Sequence, residues 1–259
     1  MISPFKREEV LKSNLRLYDS TARRYDAEHK DNIWCEKNRE RIKNILGLIT
    51  EDARRDRRVI RLLDVGCGTG NILRASENMA DSRIGCDLSI ECLKAASRYT
   101  KELICTDGSA LPFKGESVDI LTDYSVLHHL FDYTEFLKEA YRVIAKGGWL
   151  YTDFDHNNLM FSKMRARAKK KISSAFHFLK SVKRLIKKGD DHREVTDYMI
   201  ANFHNEFGGG INPMHLKNIL RETGFRRISI YAYDSNTYIP HAGAIGILRY
   251  PYFYCIAKK

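Results

Sequence analysis

The residues best placed to do chemistry lie in LLDVGCGTGNIL, residues 62 to 73. The run VIRLLDV has the length and apolarity of a strand buried on both faces, and it ends at Gly66. Gly66, Gly68 and Gly70 follow, and a helical pattern starts at once. Glycines here permit positive φ and let a ligand approach backbone that a Cβ would block. A helix start adds free N–H donors suited to a carboxylate or phosphate. Asp87 lies 21 residues beyond Gly66, at the end of the next strand-like stretch, RIGCD. A carboxylate in that place can accept from both hydroxyls of a ribose. The pair fits any adenosine-containing cofactor, NAD included, while the loop taken alone also fits a purely structural turn. Two details disfavour a dinucleotide. The spacing is G-x-G-x-G, with Asn71 where a third glycine would fall. Asp64, two residues before the loop, would repel a pyrophosphate and suits a cofactor bearing an ammonium or a sulfonium.

A second group of candidates follows a later apolar stretch. His128 and His129 stand in LHHL, and Asp153, Asp155 and His156 follow the next strand-like run. Each could remove a proton from an acceptor. Neighbouring residues do not share one helix face, so at most one histidine would point at a substrate. Packing is the competing role for all five.

These side chains need a frame that gathers strand ends. Residues 5 to about 50 are polar and helix-prone, with Ile42, Ile45, Leu46 and Ile49 at helical spacing. Helices are then predicted at about 70–79, 89–100 and 132–145. Strands are predicted at about 59–65, 83–87, 102–106, 118–123 and 148–154. Strand–helix alternation with short connections predicts a parallel sheet covered on both faces. Asn212-Pro213 reads as a helix cap followed by proline at the first helical position. That helix should stop near Gly224, and two last strands at about 226–233 and 251–257 bring the count to seven.

The chain has 259 residues and a net charge of +11, with 43% hydrophobic and 30% charged residues. These are proportions of a folded protein with ample core. No run of 18 or more apolar residues suggests a membrane span, and MISPFKREEV holds no apolar stretch for a secretory signal. Cys35, Cys67, Cys86, Cys92, Cys105 and Cys255 show neither a C-x-x-C pair nor a disulfide framework, so no metal is expected and a cytoplasmic location is. The charge is concentrated: residues 163 to 193 hold 12 Lys or Arg against Asp190 and Asp191, a net +10 that leaves about +1 elsewhere. Apolar residues from Phe161 to Ile186 recur every three or four positions, which predicts a basic amphipathic helix or helix pair over about 159–188. Three roles stand for it: a lid with solvated charges, a helix on an anionic membrane surface, or an RNA-phosphate contact. Phe176 and Phe178 without an interleaved tyrosine or tryptophan weigh against base stacking. A smaller cluster, Arg54 to Arg61, reads as an exposed loop before the first buried strand.

LLDVGCGTG, IGCDLS, TDGSALPF, TDYSVLHHL and AYRVIAKGGWLYTDF, in this order, closely resemble the class I S-adenosylmethionine-dependent methyltransferases. The likeness is greatest to the branch that modifies small molecules and lipids, quinone-biosynthesis methyltransferases among them. It is strong over about 60–154 and weak over about 18–50, through YDSTARRYD. The resemblance implies an α/β, Rossmann-like, seven-stranded, mostly parallel sheet flanked by helices. An N-terminal helical extension and a basic helical insertion after the fifth strand would be added to it. One domain over 1–259 is expected, with a helical cap at 1–58, a cofactor-binding core at 59–154, the insertion at 155–211, and the last helix and strands at 212–259.

The resemblance further implies that S-adenosyl-L-methionine binds with its methionine part beside Gly66, Cys67, Gly68 and Gly70, its ammonium oriented by Asp64. Asp87 would hold the ribose, Leu88 would pack on the adenine, and Asp107 would accept from the adenine amino group beside Gly108 and Ser109. Asp123 and Ser125 would line the other side, and Tyr18 or Tyr25 would close the pocket. The absence of an N-P-P-Y motif disfavours adenine or amide nitrogen as acceptor. The implied activity is methyl transfer to oxygen or carbon of a small or lipid-linked acceptor, with His128, His129 or Asp153 as candidate base. An RNA methyltransferase and a cofactor-binding protein without turnover are the alternatives.

Overall fold

The structure is a computed structural model that describes residues 5–31, 33–160, 192–202, 204 and 209–259. The predicted basic helix over 159–188 falls almost wholly outside the described residues. Eight strands form one sheet: β1 (Arg61–Val65), β2 (Ser82–Asp87), β3 (Leu103–Cys105), β4 (Val118–Tyr124), β5 (Ile144–His156), β6 (Arg226–Tyr233), β7 (His241–Ala242) and β8 (Tyr252–Lys258). Their order is β3-β2-β1-β4-β5-β8-β6-β7. The first five are parallel, and β8 runs antiparallel to both β5 and β6. The sheet thus has one strand more than the sequence predicts. The extra strand, β7, is a two-residue pairing on β6, too short to carry an alternating pattern. β5 also starts four residues earlier than expected.

The described helices are α1 (Arg7–His29), α2 (Glu36–Arg54), α3 (Asn71–Ala75), α4 (Ile90–Ala96), α5 (Tyr133–Val143), α6 (His192–Ala201), α7 (Pro213–Thr223) and α8 (Gly243–Ile247). Local chemistry sets several starts. Ser89 caps α4 by accepting from the Cys92 N–H at 3.1 Å, and Asp132 caps α5 through Thr134 at 2.8 Å. Asn212 accepts from Met214 and His215 ahead of α7, as its Asn-Pro start predicts. Gly224 ends that helix at a φ of +120°, where a Cβ would stand 2.6 Å from the Tyr141 hydroxyl.

Two apolar cores cover the two faces of the sheet. One packs Phe136, Leu137, Leu216 and Phe225 against Leu63, Leu121 and Leu150. The other packs Ile42, Leu46, Ile49 and Leu73 against Leu62, Ile120 and Tyr151. β4 is buried along its whole length, and its three polar residues are each partnered there: Asp119 with Arg57, Thr122 with Asp64 and Asp123 with Thr152. At the opposite end of the strands from the glycine loop, part of the arginine cluster is anchored: Arg54 pairs with Asp81 at 3.0 Å and Arg57 with Asp119 at 2.6 Å.

Inside the second core lies an ion pair. Arg41 of α2 donates to Asp153 of β5 at 2.7 Å, and both are buried. The hydroxyls of Tyr151 and Tyr233 also donate to Asp153, Tyr233 at 2.6 Å. The Arg41 guanidinium lies 4.1 Å from the Tyr233 ring centroid. Arg41 also holds the Asn38 carboxamide, whose Nδ2 donates to the Tyr124 hydroxyl at 2.7 Å. Removing one partner strands a buried charge, which costs about 3–5 kcal/mol. Arg41→Ala is therefore expected to lower stability by about that amount, seen as a lower midpoint in urea denaturation with unchanged slope.

Candidate functional site

At the C-terminal ends of β1, β2 and β4, where strand order reverses, a cleft opens between the sheet and α1. This is where open α/β sheets place their ligands. The cleft holds about 1200 Å³ of empty space, its open mouth included.

The glycine loop forms its floor. Gly68 has a φ of +51° and nothing within 4 Å of a built Cβ, so its outer face is open to the cleft. At Gly66, φ is +65° and a Cβ would meet Val126 at 2.6 Å. Gly70 faces away and packs on Ala96 and Tyr99, so it shapes the loop without lining the cleft. The Gly68 N–H donates to one oxygen of Asp87 and the Ser89 N–H to the other, both at 2.8 Å. Each oxygen keeps a lone pair for a further donor. Burial raises the Asp87 pKa, opposed by these N–H groups. Asp64 is buried, accepts from Thr122 Oγ1 at 2.7 Å, and is pushed up to about 7 by burial, with Asp87 adding to the rise. Cys67, Leu88, Gly108 and Ser125 also line the cleft. Asp107 lines it too, its two oxygens accepting from the N–H and hydroxyl of Ser109 at 3.0 and 2.7 Å.

The roof is one stripe of α1. Arg7, Leu11, Asn14, Tyr18 and Tyr25, spaced by 4, 3, 4 and 7, face the cleft. Polar ties fasten that helix to each loop below it. Asp26 accepts from Thr69 Oγ1 at 2.6 Å and Asn71 Nδ2 at 2.9 Å, and pairs with Arg98. Asp19 accepts from Ser89 Oγ at 2.5 Å, and Arg7 donates to Ser109 Oγ at 3.1 Å.

The Tyr18 hydroxyl lies 2.7 Å from His129 Nε2, and His129 Nδ1 lies 2.9 Å from the Ala201 carbonyl oxygen. A carbonyl only accepts, so Nδ1 carries the hydrogen and Nε2 presents its lone pair to the Tyr18 hydroxyl. Burial pushes the His129 pKa well below its ordinary value, so the imidazole is neutral.

Several candidates from the sequence stand elsewhere. Asp123 accepts from Thr152 Oγ1 at 2.7 Å on the opposite face of the sheet and does not line the cleft. Alternation along β4 turns Tyr124 toward the α2 side and Asp123 away from it. His128 is buried against Asp155, Nδ1 to Oδ1 at 2.8 Å, and its pKa is pushed well down by burial. Asp153 belongs to Arg41, and neither it, His128, Asp155 nor His156 lines the cleft. Of the proton-removing candidates, His129 is the one in the wall.

Other wall residues were not anticipated. Arg7, Asn14 and Trp34 line the cleft, and Asp19 and Asp26 pin its roof. The spacing of the α1 stripe is a helical signal that could have pointed to the first two. Trp34 carries no such signal. Its Nε1–H and the Asn14 Oδ1 are buried and have no hydrogen-bond partner among the described residues.

Comparison with known proteins agrees with this geometry. Residues 63–152 match a family model described as a methyltransferase domain. A ubiquinone biosynthesis O-methyltransferase from Parvibaculum lavamentivorans is 31% identical over 98 residues, 36% of this chain and 39% of that protein. A demethylmenaquinone methyltransferase from Corynebacterium urealyticum is 30% identical over 143 residues, 52% of this chain and 56% of that protein. The chain thus spans about two fifths to just over half the length of these two relatives. In fold, a SAM-dependent methyltransferase from Thermotoga maritima superposes with a TM-score of 0.56 at 14% identity, over 95% of this chain and 99% of that one. Residues 63–152 are thus similar to a methyltransferase domain, and the sheet that carries them shares its fold with the Thermotoga protein.

Proposed function

We propose that the chain is an S-adenosylmethionine-dependent methyltransferase acting on oxygen or carbon of a small or lipid-linked acceptor. The observation that carries this reading is an acid-lined floor, Asp64 and Asp87 about an open Gly68, facing a Tyr18–His129 pair across one cleft. The residues fit the cofactor. Asp64 would meet its ammonium and Asp87 its ribose hydroxyls. The unpartnered Trp34 Nε1–H would meet its carboxylate, and Asp107 and Ser109 lie where the adenine end would rest. When bound, the cofactor supplies a methyl group on a sulfonium, whose C–S electron pair returns to sulfur on transfer.

The chain's own part is to orient and to take up a proton. α1 covers the cleft and keeps water from the reacting atoms. His129 Nε2 holds a lone pair at a neutral imidazole and is bonded to the Tyr18 hydroxyl, both residues lining the cleft. An acceptor O–H proton can pass through that hydroxyl to Nε2 as the oxygen's electron pair forms its bond to the methyl carbon. The names of the two relatives, a ubiquinone biosynthesis O-methyltransferase and a demethylmenaquinone methyltransferase, support a small acceptor.

The 12 basic residues in 163–193 support a peripheral contact with an anionic lipid surface near 159–188, though that stretch lies outside the described residues. Among the described residues no helix is long and apolar enough to cross a membrane. Sedimentation with anionic vesicles, set against salt-dependent RNA binding, distinguishes this from the RNA alternative.

Two measurements test the enzymatic reading. As pH rises through about 7 Asp64 gains the charge that meets a cation, so cofactor affinity should rise about fivefold from pH 6 to pH 8, the cofactor's own ammonium titrating at the upper end. Stability of the free protein moves the other way: the raised pKa makes it fall as pH climbs from the ordinary carboxylate range through about 7. Calorimetry across that range should show the affinity trend in the native chain and a flat profile in Asp64→Asn. No binding at any pH would sink the proposal. For the chemical step, tritiated-methyl transfer to fractionated cell extracts should slow by about 10²-fold or more in His129→Ala and clearly in Tyr18→Phe. Cofactor binding without transfer to any fraction would favour the non-catalytic alternative.

A further inference from the structure

The acceptor half of the cleft carries one polar group for which neither the cofactor nor the proton path has a use. Asn14 sits four residues before Tyr18 on α1, in the cleft wall, and is 6% exposed. Its Nδ2 donates to the Val10 carbonyl at 2.9 Å and to the His129 carbonyl at 3.0 Å. Both partners are carbonyl oxygens, which only accept, so the orientation of the carboxamide is fixed by chemistry. The Oδ1 is the end left over, and it has no partner among the described residues. Leaving a buried acceptor unpaired is costly, about 1–3 kcal/mol. A ligand that brings a donor to it recovers that cost.

The surroundings limit what the donor can be attached to. Asn14 is bonded through its Nδ2 to the backbone of His129, the residue whose ring holds Tyr18, so its carboxamide neighbours the residue of the proposed proton path. Among the described residues of the wall the carboxylates are Asp64, Asp87, Asp107 and Asp132, against Arg7 as cation. Arg7 is already engaged by Glu135 and Ser109. An anionic group brought here would meet a carbonyl-type oxygen, and Asp132 is the one wall carboxylate not assigned to the cofactor, with Arg7 already engaged and no other cation on the described wall. A hydroxyl, amine or ammonium would meet a waiting acceptor. The same logic makes polar sites discriminate strongly against analogues that lack the matching donor.

We propose that Asn14 Oδ1 reads an O–H or N–H donor on an uncharged or cationic acceptor, and that acceptors carrying a carboxylate or phosphate at that point are excluded. The inference rests on the methyltransferase reading of the cleft and narrows its substrate class. It makes Asn14 a specificity-determining residue for the acceptor.

The test uses matched aromatic probes on the full chain saturated with S-adenosylhomocysteine, read by ligand-observed NMR titration. Phenol, catechol and benzylamine carry a donor, anisole and veratrole are their methyl-capped counterparts, and benzoate is the anion. Phenol and catechol are expected to bind about tenfold more tightly than anisole and veratrole, the order expected for one hydrogen bond to a buried acceptor. Benzylamine should bind and benzoate should not. In Asn14→Leu, compared only as protein that has folded and taken up S-adenosylhomocysteine, the preference for phenol over anisole should fall to about onefold. In Tyr18→Phe, which removes the hydroxyl of the proton path and leaves Asn14 in place, the preference for phenol should persist, and its loss there would overturn the proposal even where Asn14→Leu does not fold. Equal binding of phenol and anisole, tight binding of benzoate, binding of none of the probes, or a preference that survives in Asn14→Leu each overturns the proposal. Failure of the native chain to bind S-adenosylhomocysteine would instead overturn the methyltransferase reading itself.

Discussion

Desolvated negative charge at the ends of β1, β2 and β5 is the constraint around which this molecule is organised. Asp64, Asp87, Asp153 and Asp155 all stand where the parallel strands finish, and each is met differently. Asp153 is neutralised by Arg41 and two tyrosine hydroxyls, and Asp155 accepts from the ring and backbone of His128. Asp64 has a single threonine hydroxyl, and Asp87 has backbone N–H groups that fix it without cancelling its charge. The first two are internal, Asp153 bonded at both oxygens and Asp155 at Oδ1 alone, its Oδ2 having no partner among the described residues. The last two face the cleft with bonding capacity left over, which is how a folded chain prepares for a cation and a diol. The same residue type therefore serves as scaffold at β5 and as recognition surface at β1 and β2, and solvent access with partner supply separates the roles.

α1 turns that acid-lined edge into an enclosed site. A single polar helix would not stay over a cleft through apolar burial alone, because much of its outer surface is exposed. It is held by side-chain bonds spread along its length: Arg7 to Ser109, Asn14 and Tyr18 to His129, Asp19 to Ser89, and Asp26 to Thr69 and Asn71. Each tie ends on a loop that also shapes the floor. Lid position and floor geometry are thereby coupled, and a ligand that moves one of these loops acts on the helix above it. Behind the floor, the chain Arg41–Asn38–Tyr124 carries the position of α2 to the cleft wall, because Tyr124 stacks near Trp34 with ring centroids 4.7 Å apart.

Much of this frame was legible because it is written locally. The glycine loop, the strand before it and the aspartate 21 residues later lie in one short stretch, and their geometry follows from backbone rules that need no distant partner. The Asn-Pro start and glycine stop of α7 are legible for the same reason. The two-residue strand β7 was not, since its pairing depends on β6 and not on its own pattern. The basic run was legible as composition, and its charge sits apart from an almost neutral remainder.

The sequence by itself determined the order of strands and helices, the adenosine-type loop and the acids that follow it, because each is set by neighbours a few residues away. The tertiary structure decided which acids and histidines reach the cleft. His128 and His129 are adjacent in the chain, yet one turns to Asp155 and the other to Tyr18, 111 residues earlier. Asp123 and Tyr124 are separated in the same way by the pleat of β4. Asp153 became scaffold only when α2 brought Arg41 across 112 residues to meet it. Asn14 and Trp34 gained meaning only through what fails to pair with them. A carboxylate, an imidazole or an amide takes its role from the partners and the water around it, and those are fixed only when distant segments pack together.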